Sequence, residues 1–429
     1  MIFNSSKYNS HWSDKKLSDL GSFRRGKSRH RPRNDPNLFE NGIYPLVQTG
    51  EVKQANIYIN NHNSCYNEFG LSQSELWPEN TLCITIAANI AETALLGYPM
   101  CFPDSVVGFN ADKNESSELF MHYVFTYIRK AIQNSASGSI QDNINIDYLT
   151  ALNLKVPSKK YQDKIVTVLS MLDKKIDLNN RINTELEAMA KTLYDYWFVQ
   201  FDFPDANGKP YKTSGGKMVY NTTLKREIPE SWNDSVLGDF IELERGVTYS
   251  KEDVCTQNDE DTVGILRATN ITGNTVDIDD LILIPACRVN SRQMLNMFDI
   301  LMVMSSGSKE HVGKNGIYYF EKNHAFGAFC SKITPVSKFR CFINTFFQSD
   351  WFNVYIKNQC LGTNINNLTN THISMCEFIN PAPDIVALFE KRVMPIYSKL
   401  ASNTQENSQL VKLRDWLLPL LMNGQVTVK

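Results

Sequence analysis

The stretch Leu172–Phe198, LDKKIDLNNRINTELEAMAKTLYDYWF, has the spacing of one long amphipathic helix with amides set into its apolar stripe. Alternating steps of four and three from Ile165 pass through Ile165, Leu169, Leu172, Ile176, Asn179, Asn183, Leu186, Ala190, Leu193 and Trp197. That is the seam of a coiled-coil arm. A seam amide lowers stability but fixes register and partner, because an amide with no amide opposite is penalised. A single such Asn is also tolerated as a water-bridged defect, so the reading depends on whether the pattern recurs.

It does recur. Trp12, Leu17 and Gly26 in HWSDKKLSDLGSFRRG return as Trp232, Leu237 and Gly246 in SWNDSVLGDFIELERG. YPLVQTG (Tyr44–Gly50) returns as GILRATN (Gly264–Asn270), sharing Leu46 with Leu266 and Thr49 with Thr269. GSIQDNINIDYLTALNLKVP (Gly138–Pro157) returns as GTNINNLTNTHISMCEFINP (Gly362–Pro381), keeping the glycine, a central asparagine (Asn143, Asn367) and the closing proline. The same later offset yields a second seam at Phe389, Val393, Ile396, Leu400, Asn403, Asn407, Leu410, Arg414, Leu417 and Leu421. Asn179 and Asn183 thus match Asn403 and Asn407, which marks all four as register residues. Packed antiparallel about their midpoints, the helices bring Asn179 to Asn407 and Asn183 to Asn403. A parallel pair also matches amides, but it crowds both globular segments at one end. An internal repeat of this kind dictates the architecture.

The expected fold is α/β: two mixed α/β domains separated by an intramolecular antiparallel two-helix coiled coil, related by a pseudo-twofold repeat. The expected boundaries are a first globular domain over 1–157, a first arm over 158–203, a linker over 204–230, a second globular domain over 231–382 and a second arm over 383–429. Runs such as ANIYIN, TLCITIA, DILMVMS and NGIYYF predict short strands, and SSELFMHYVFTYIRKAI a helix. The linker, rich in Gly, Lys, Pro and Thr, predicts exposed irregular chain.

At 429 residues with 21% charged residues the chain fits two or three ordinary globular domains. The net charge of −2 confines any nucleic-acid contact to local basic patches or partner subunits. Nine scattered cysteines without a C-x-x-C pair predict reduced thiols and no metal site. MIFNSSKYNSHW lacks the apolar core of a signal peptide. Asn89 and Glu92 interrupt TLCITIAANIAETALLGY, which predicts core strands rather than a membrane span. The expected location is cytoplasmic.

The tract VPSKKYQDKIVTVLSMLDKKIDLNNRINTELEAMAKTLYDYWFVQFDFP, the linker NGKPYKTSGGKMVY and the domain start IPESW resemble the specificity subunit of Type I restriction-modification systems, over nearly the whole chain. Pro157, Gln162, Ile165, Leu169, Leu172, Asp173, Ile176, Asn179, Leu186 and WFVQFDFP carry the likeness. The second copy departs from it, with LMNGQV in place of the aromatic ending and Arg414 where the first copy has Ala190. The resemblance implies a non-catalytic scaffold in which each globular half is a target recognition domain reading one half of a bipartite, asymmetric double-stranded DNA site. It implies that the coiled coil sets the unread spacer and that two adenine-N6 methyltransferase (modification) subunits dock on it. Restriction/translocase subunits complete that assembly. S-adenosylmethionine, ATP and Mg then belong to partners, and this chain holds no cofactor. The alternative is a coiled-coil scaffold or adaptor without DNA sequence specificity.

The motif record agrees with a chain lacking a catalytic centre. An adenine methyltransferase needs a Gly-rich cofactor loop and an N/D-P-P-Y/F tract, whereas NPAP (Asn380–Pro383) lacks the stacking aromatic. GSKEHVGKN (Gly307–Asn315) has one residue too many for a phosphate-binding loop, and Asn315 stands where a hydroxyl is required. The strongest positive signal is FRRGKSRHRPR, with Arg24, Arg25, Lys27, Arg29, Arg31 and Arg33 around His30. Such cations supply salt-dependent phosphate affinity, and an arginine in a groove pairs bidentately with guanine. The matching stretch of the second half, ERGVTYSKEDVCTQNDEDT, is acidic, as expected if the halves read different sequences. Further DNA-contact candidates lie after predicted strands: Gln48, Thr49 and Lys53; Arg267, Thr269, Asn270 and Thr272; Ser305, Ser306, Lys309, His311 and Lys314.

Overall fold

A computed structural model describes residues 4–137, 144–256, 261–308, 310–361 and 367–429. The repeat stations at 138–143 and 362–366, and Lys309, lie outside them. The chain divides into two compact units, Met1–Leu178 with Gln409–Lys429, and Asn179–Ser408.

The first unit is built on a five-stranded sheet in the order Gly21–Arg25, Val106–Ala111, Leu82–Thr85, Thr93–Leu96, Tyr58–Ile59. Its central strands are buried on both faces, and their alternation splits them between two cores. Leu82, Ile84, Leu95, Val107 and Phe109 pack with Phe120, Tyr123 and Phe125 of the helix Glu118–Ser137. Cys83, Ala94, Leu96 and Val106 pack on the other face with Val47, Trp77 and Phe102. A two-residue side-chain period makes that division necessary. The TLCITIAANIAETALLGY window therefore forms two core strands and a turn, as expected.

The second unit repeats the plan. Its six-stranded sheet runs Ile241–Arg245, Cys330–Pro335, Ile300–Val303, Asn315–Ile317, Thr275–Val276, Ile271–Thr272. Ile300, Met302, Ile317 and Ile333 face one core, while Leu301, Val303, Val276 and Cys330 face another. The repeat reaches the register itself. Arg25 pairs with Val107 in the first sheet and Arg245 with Ser331 in the second, and Ser13 pairs with Val156 as Asn233 does with Asn380.

Two long helices, Lys159–Tyr194 and Pro383–Met422, contribute to both units. Within the second unit they run antiparallel. Asn179 Nδ2 donates to Asn407 Oδ1 at 2.9 Å and Asn403 Nδ2 to Asn183 Oδ1 at 2.8 Å. Four residues up one helix meet four down the other. Ile165, Leu169, Ile176, Asn179, Ala190 and Trp197 are buried as the seam requires, and so are Phe389, Val393, Leu400, Asn403 and Leu421. Leu172, Asn183, Leu186 and Leu193, and on the second helix Ile396, Asn407, Leu410, Arg414 and Leu417, are half-buried. Beside Leu172 the buried side chain is Asp173, which accepts from Arg414 Nη1 at 2.9 Å and from the Tyr123 hydroxyl at 2.6 Å, all within the first unit. Arg414 is thus the partner of a buried carboxylate.

The linker corrects one expectation. It carries a hairpin, Met218–Asn221 against Arg226–Pro229, with Ile228 buried. The cause is aromatic. Phe203 stacks on Tyr211 and Trp232 at 4.7 and 4.9 Å, and Phe198 packs on Phe342 and Phe389 at 4.6 and 5.0 Å. Thr213 donates both backbone N–H and hydroxyl to Asp202, at 2.8 and 2.7 Å, which holds that carboxyl below its ordinary range. WFVQFDFP and GKPYKT therefore fold together as an aromatic clasp at the end of the first long helix, where one π-helical turn (Asp195–Val199) turns Trp197 and Phe198 inward.

Candidate nucleic-acid interface

The basic segment leaves the end of the strand Gly21–Arg25, and a close backbone crossing fixes its start. A Cβ on Gly26 would lie 2.4 Å from the Pro103 carbonyl oxygen, so only glycine fits there. Beyond it, four of the six cations are paired, two to each of two carboxylates. Arg24 and Lys27 both bind Glu75, at 2.9 and 2.5 Å, and their hydrogen bonds hold its carboxyl below the usual range, Lys27 contributing most. Arg24 also lies 4.4 Å from the centroid of buried Trp77. Arg33 and Arg31 reach Asp104 at 2.6 and 3.6 Å. His30 pairs with Asp35 at 2.7 Å, a carboxyl lowered first by the Asn37 backbone N–H and then by His30. Among the described residues no carboxylate is paired with exposed Arg25 or Arg29. The patch is thus a braced loop with two uncommitted guanidinium groups.

The other candidates sort by exposure. Gln48 and Thr49 open the short helix Thr49–Gln54; Gln48 is exposed, its N–H bound to Glu51 at 3.1 Å. Lys53 is exposed and donates to Asn89 at 3.2 Å. Arg267 is tied to Asp280 at 2.9 Å, while Thr269 and Thr272 are exposed. Asn270 departs from the expectation. It is 4% exposed, its Oδ1 accepts from Arg267 N–H at 2.9 Å and its Nδ2 donates to Asp279 O at 2.7 Å, so the amide holds a turn. Ser305 is hydrogen-bonded to Asn367, and Lys314 is exposed beside His311 at 2.9 Å. Lys309 lies outside the described residues.

Two exposed residues at the sheet ends escaped the sequence reading, Arg245 and Phe329. Arg245 stands before Gly246 as Arg25 stands before Gly26, a signal already contained in the repeat. Among the described residues no group of three or more metal-ligating side chains occurs, and no helix is long and apolar enough to cross a membrane.

Residues 9–188 match the family model of the Type I restriction modification DNA specificity domain. The Type I restriction enzyme MjaIX specificity subunit of Methanocaldococcus jannaschii is 23% identical over 433 residues, covering 97% of this chain and 94% of its own. The EcoKI specificity subunit of Escherichia coli is 29% identical over 208 residues, 47% of this chain and 45% of its own. Among solved structures, the Type I restriction-modification S subunit of M. genitalium superposes with a TM-score of 0.55 at 15% identity, covering 98% of this chain and 99% of that one. Residues 9–188 thus carry the match to a Type I restriction modification DNA specificity domain, and over nearly its full length the chain is similar to a specificity subunit of a Type I restriction-modification system.

Proposed function

We propose that the chain selects DNA by sequence, each α/β unit reading one half of a bipartite, asymmetric duplex site. The single observation that carries this is the duplication. Two sheets that share five strands in the same order, with corresponding register, present different side chains at equivalent positions, which is what two unlike half-sites require. The paired helices set the unread spacer. At ~1.5 Å per residue, 36 residues extend about 54 Å, more than one turn of B-DNA at about 34 to 36 Å. Two modification subunits dock on the helices and methylate adenine N6, and a restriction subunit joins them in the cytoplasm. S-adenosylmethionine, ATP and Mg act in those partners.

Single-molecule sequencing of methylated adenines, in DNA from cells carrying the complete system, is expected to return one split, asymmetric motif. A scatter of sites with no common motif would overturn the reading. The purified chain alone, given DNA and S-adenosylmethionine, is expected to transfer no methyl groups.

A further inference from the structure

The two large sheets finish in corresponding backbone arrangements and differ in the side chains these display. In the first unit Gly26 N–H donates to Val106 O at 2.9 Å, Ile86 N–H to Ser105 O at 3.0 Å and Thr85 N–H to Glu92 O at 3.0 Å. In the second Gly246 N–H donates to Cys330 O at 3.3 Å, Met304 N–H to Phe329 O at 2.8 Å and Val303 N–H to Lys314 O at 2.8 Å. These bonds make Arg25 equivalent to Arg245, Ser105 to Phe329 and Glu92 to Lys314. The arginine is constant and exposed in both, and among the described residues neither copy has a carboxylate partner. The other two positions change character. Glu92 is neutralised by Arg129 at 3.1 Å, whereas Lys314 stands exposed.

Phe329 is the anomaly. The residue is 69% exposed, yet its carbonyl accepts from both Met304 and Ser305, at 2.8 and 3.2 Å, so a fixed backbone holds an aromatic side chain in water. It stands one strand from Arg245 and two from Lys314. Three strand spacings of ~4.8 Å make an edge about 15 Å long, the length of roughly four base pairs at ~3.4 Å each. Cations along such an edge meet phosphates, and an apolar ring between them meets base edges such as the thymine methyl.

We propose that this sheet end is the edge each unit lays against the duplex, with Arg25 and Arg245 on phosphates and Phe329 reading a base in the second unit's half-site. The assignment rests on the DNA-selecting function above and names the residues that perform it.

The test uses the full chain assembled with its modification subunits, selecting from a random duplex library and then binding the selected duplex across a salt series. Arg25→Gln and Arg245→Gln are each expected to weaken every duplex several-fold. Each should also lower the slope of log affinity against log salt by about one, with the selected motif unchanged. Phe329→Ser, which installs the first unit's residue, is expected to relax the motif at one position of one half-site. The change in preference should be roughly tenfold, the size of one mismatched base pair. All three positions are exposed, so the melting midpoints should equal that of the parent. Selection of the parental motif by Phe329→Ser, or an unchanged salt slope in both arginine variants, overturns the assignment. If the parental complex itself selects no motif, it is the proposed function that fails.

Discussion

Two polar stations interrupt the apolar helix seam, one in each unit, and their chemistry differs. In the second unit amides pair mainly with amides: Asn179 with Asn407, Asn403 with Asn183, and Asn407 with Asn180 at 2.8 Å, while Asn179 also donates to the Glu406 carboxylate at 2.8 Å. In the first, Asp173 is 2% exposed and meets Arg414 and the Tyr123 hydroxyl. An amide both donates and accepts, so an amide ladder can close in either helix direction. A carboxylate only accepts and a guanidinium only donates, so the ion pair forms only where aspartate and arginine meet. The first station therefore fixes direction, and the second fixes register.

The largest expected effect comes from the ion pair. Arg414→Leu strands a buried carboxylate and should cost about 3–5 kcal/mol, read as a lowered urea midpoint of the full chain. Asp173→Leu combined with Arg414→Leu should recover most of that loss; equal destabilisation of single and double variants would refute the pairing.

A smaller effect sharpens the amide side. Asn183→Leu alone leaves Asn403 facing a methyl group in a buried seam and should cost about 1–2 kcal/mol. Adding Asn403→Leu should raise the melting point above the parent while loosening register, seen as self-association in sedimentation. A double variant that remains a single, equally discriminating species would remove the register role.

The smallest effect concerns Glu187, half-buried and hydrogen-bonded to Asn274 at 2.8 Å. Burial is the main cause of its raised pKa. A carboxyl raised above its unfolded value opposes folding while charged, and that cost disappears as pH falls through the raised value. Glu187→Gln should thus be more stable than the parent near neutrality, by about 0.5–1 kcal/mol. The gap should close on acidification; a gap that widens instead would assign the shift the wrong sign.

The helices, their seam and the duplication were legible because heptad spacing and repeat offsets are local properties of the chain. Helix direction was legible only indirectly, since the heptads accept both and the antiparallel reading rested on the placement of the globular segments and on the family resemblance. Arg414 looked like a break in symmetry because its partner Asp173 sits one residue off the seam. The linker looked irregular because Gly, Lys and Thr dominate it, while its order comes from Phe203, Tyr211 and Trp232 meeting in space. At the candidate interface, charge density singled out one loop but not which of its cations are uncommitted. That depends on Glu75 and Asp104, which are distant in sequence.

Gly246 closes the same crossing in the second unit that Gly26 closes in the first, with a Cβ there meeting the Gly327 carbonyl oxygen at 2.2 Å. Beneath both tips the aromatic floor, Phe102 and Phe326, is fully buried. The floor is rigid and shared, whereas the tip residues, Asp104 and Ser105 or Ala328 and Phe329, contribute nothing to it. Such a platform behaves like a typeface block: the character on its surface can be recut, and the preferred sequence with it, while the body that seats it in the assembly stays the same.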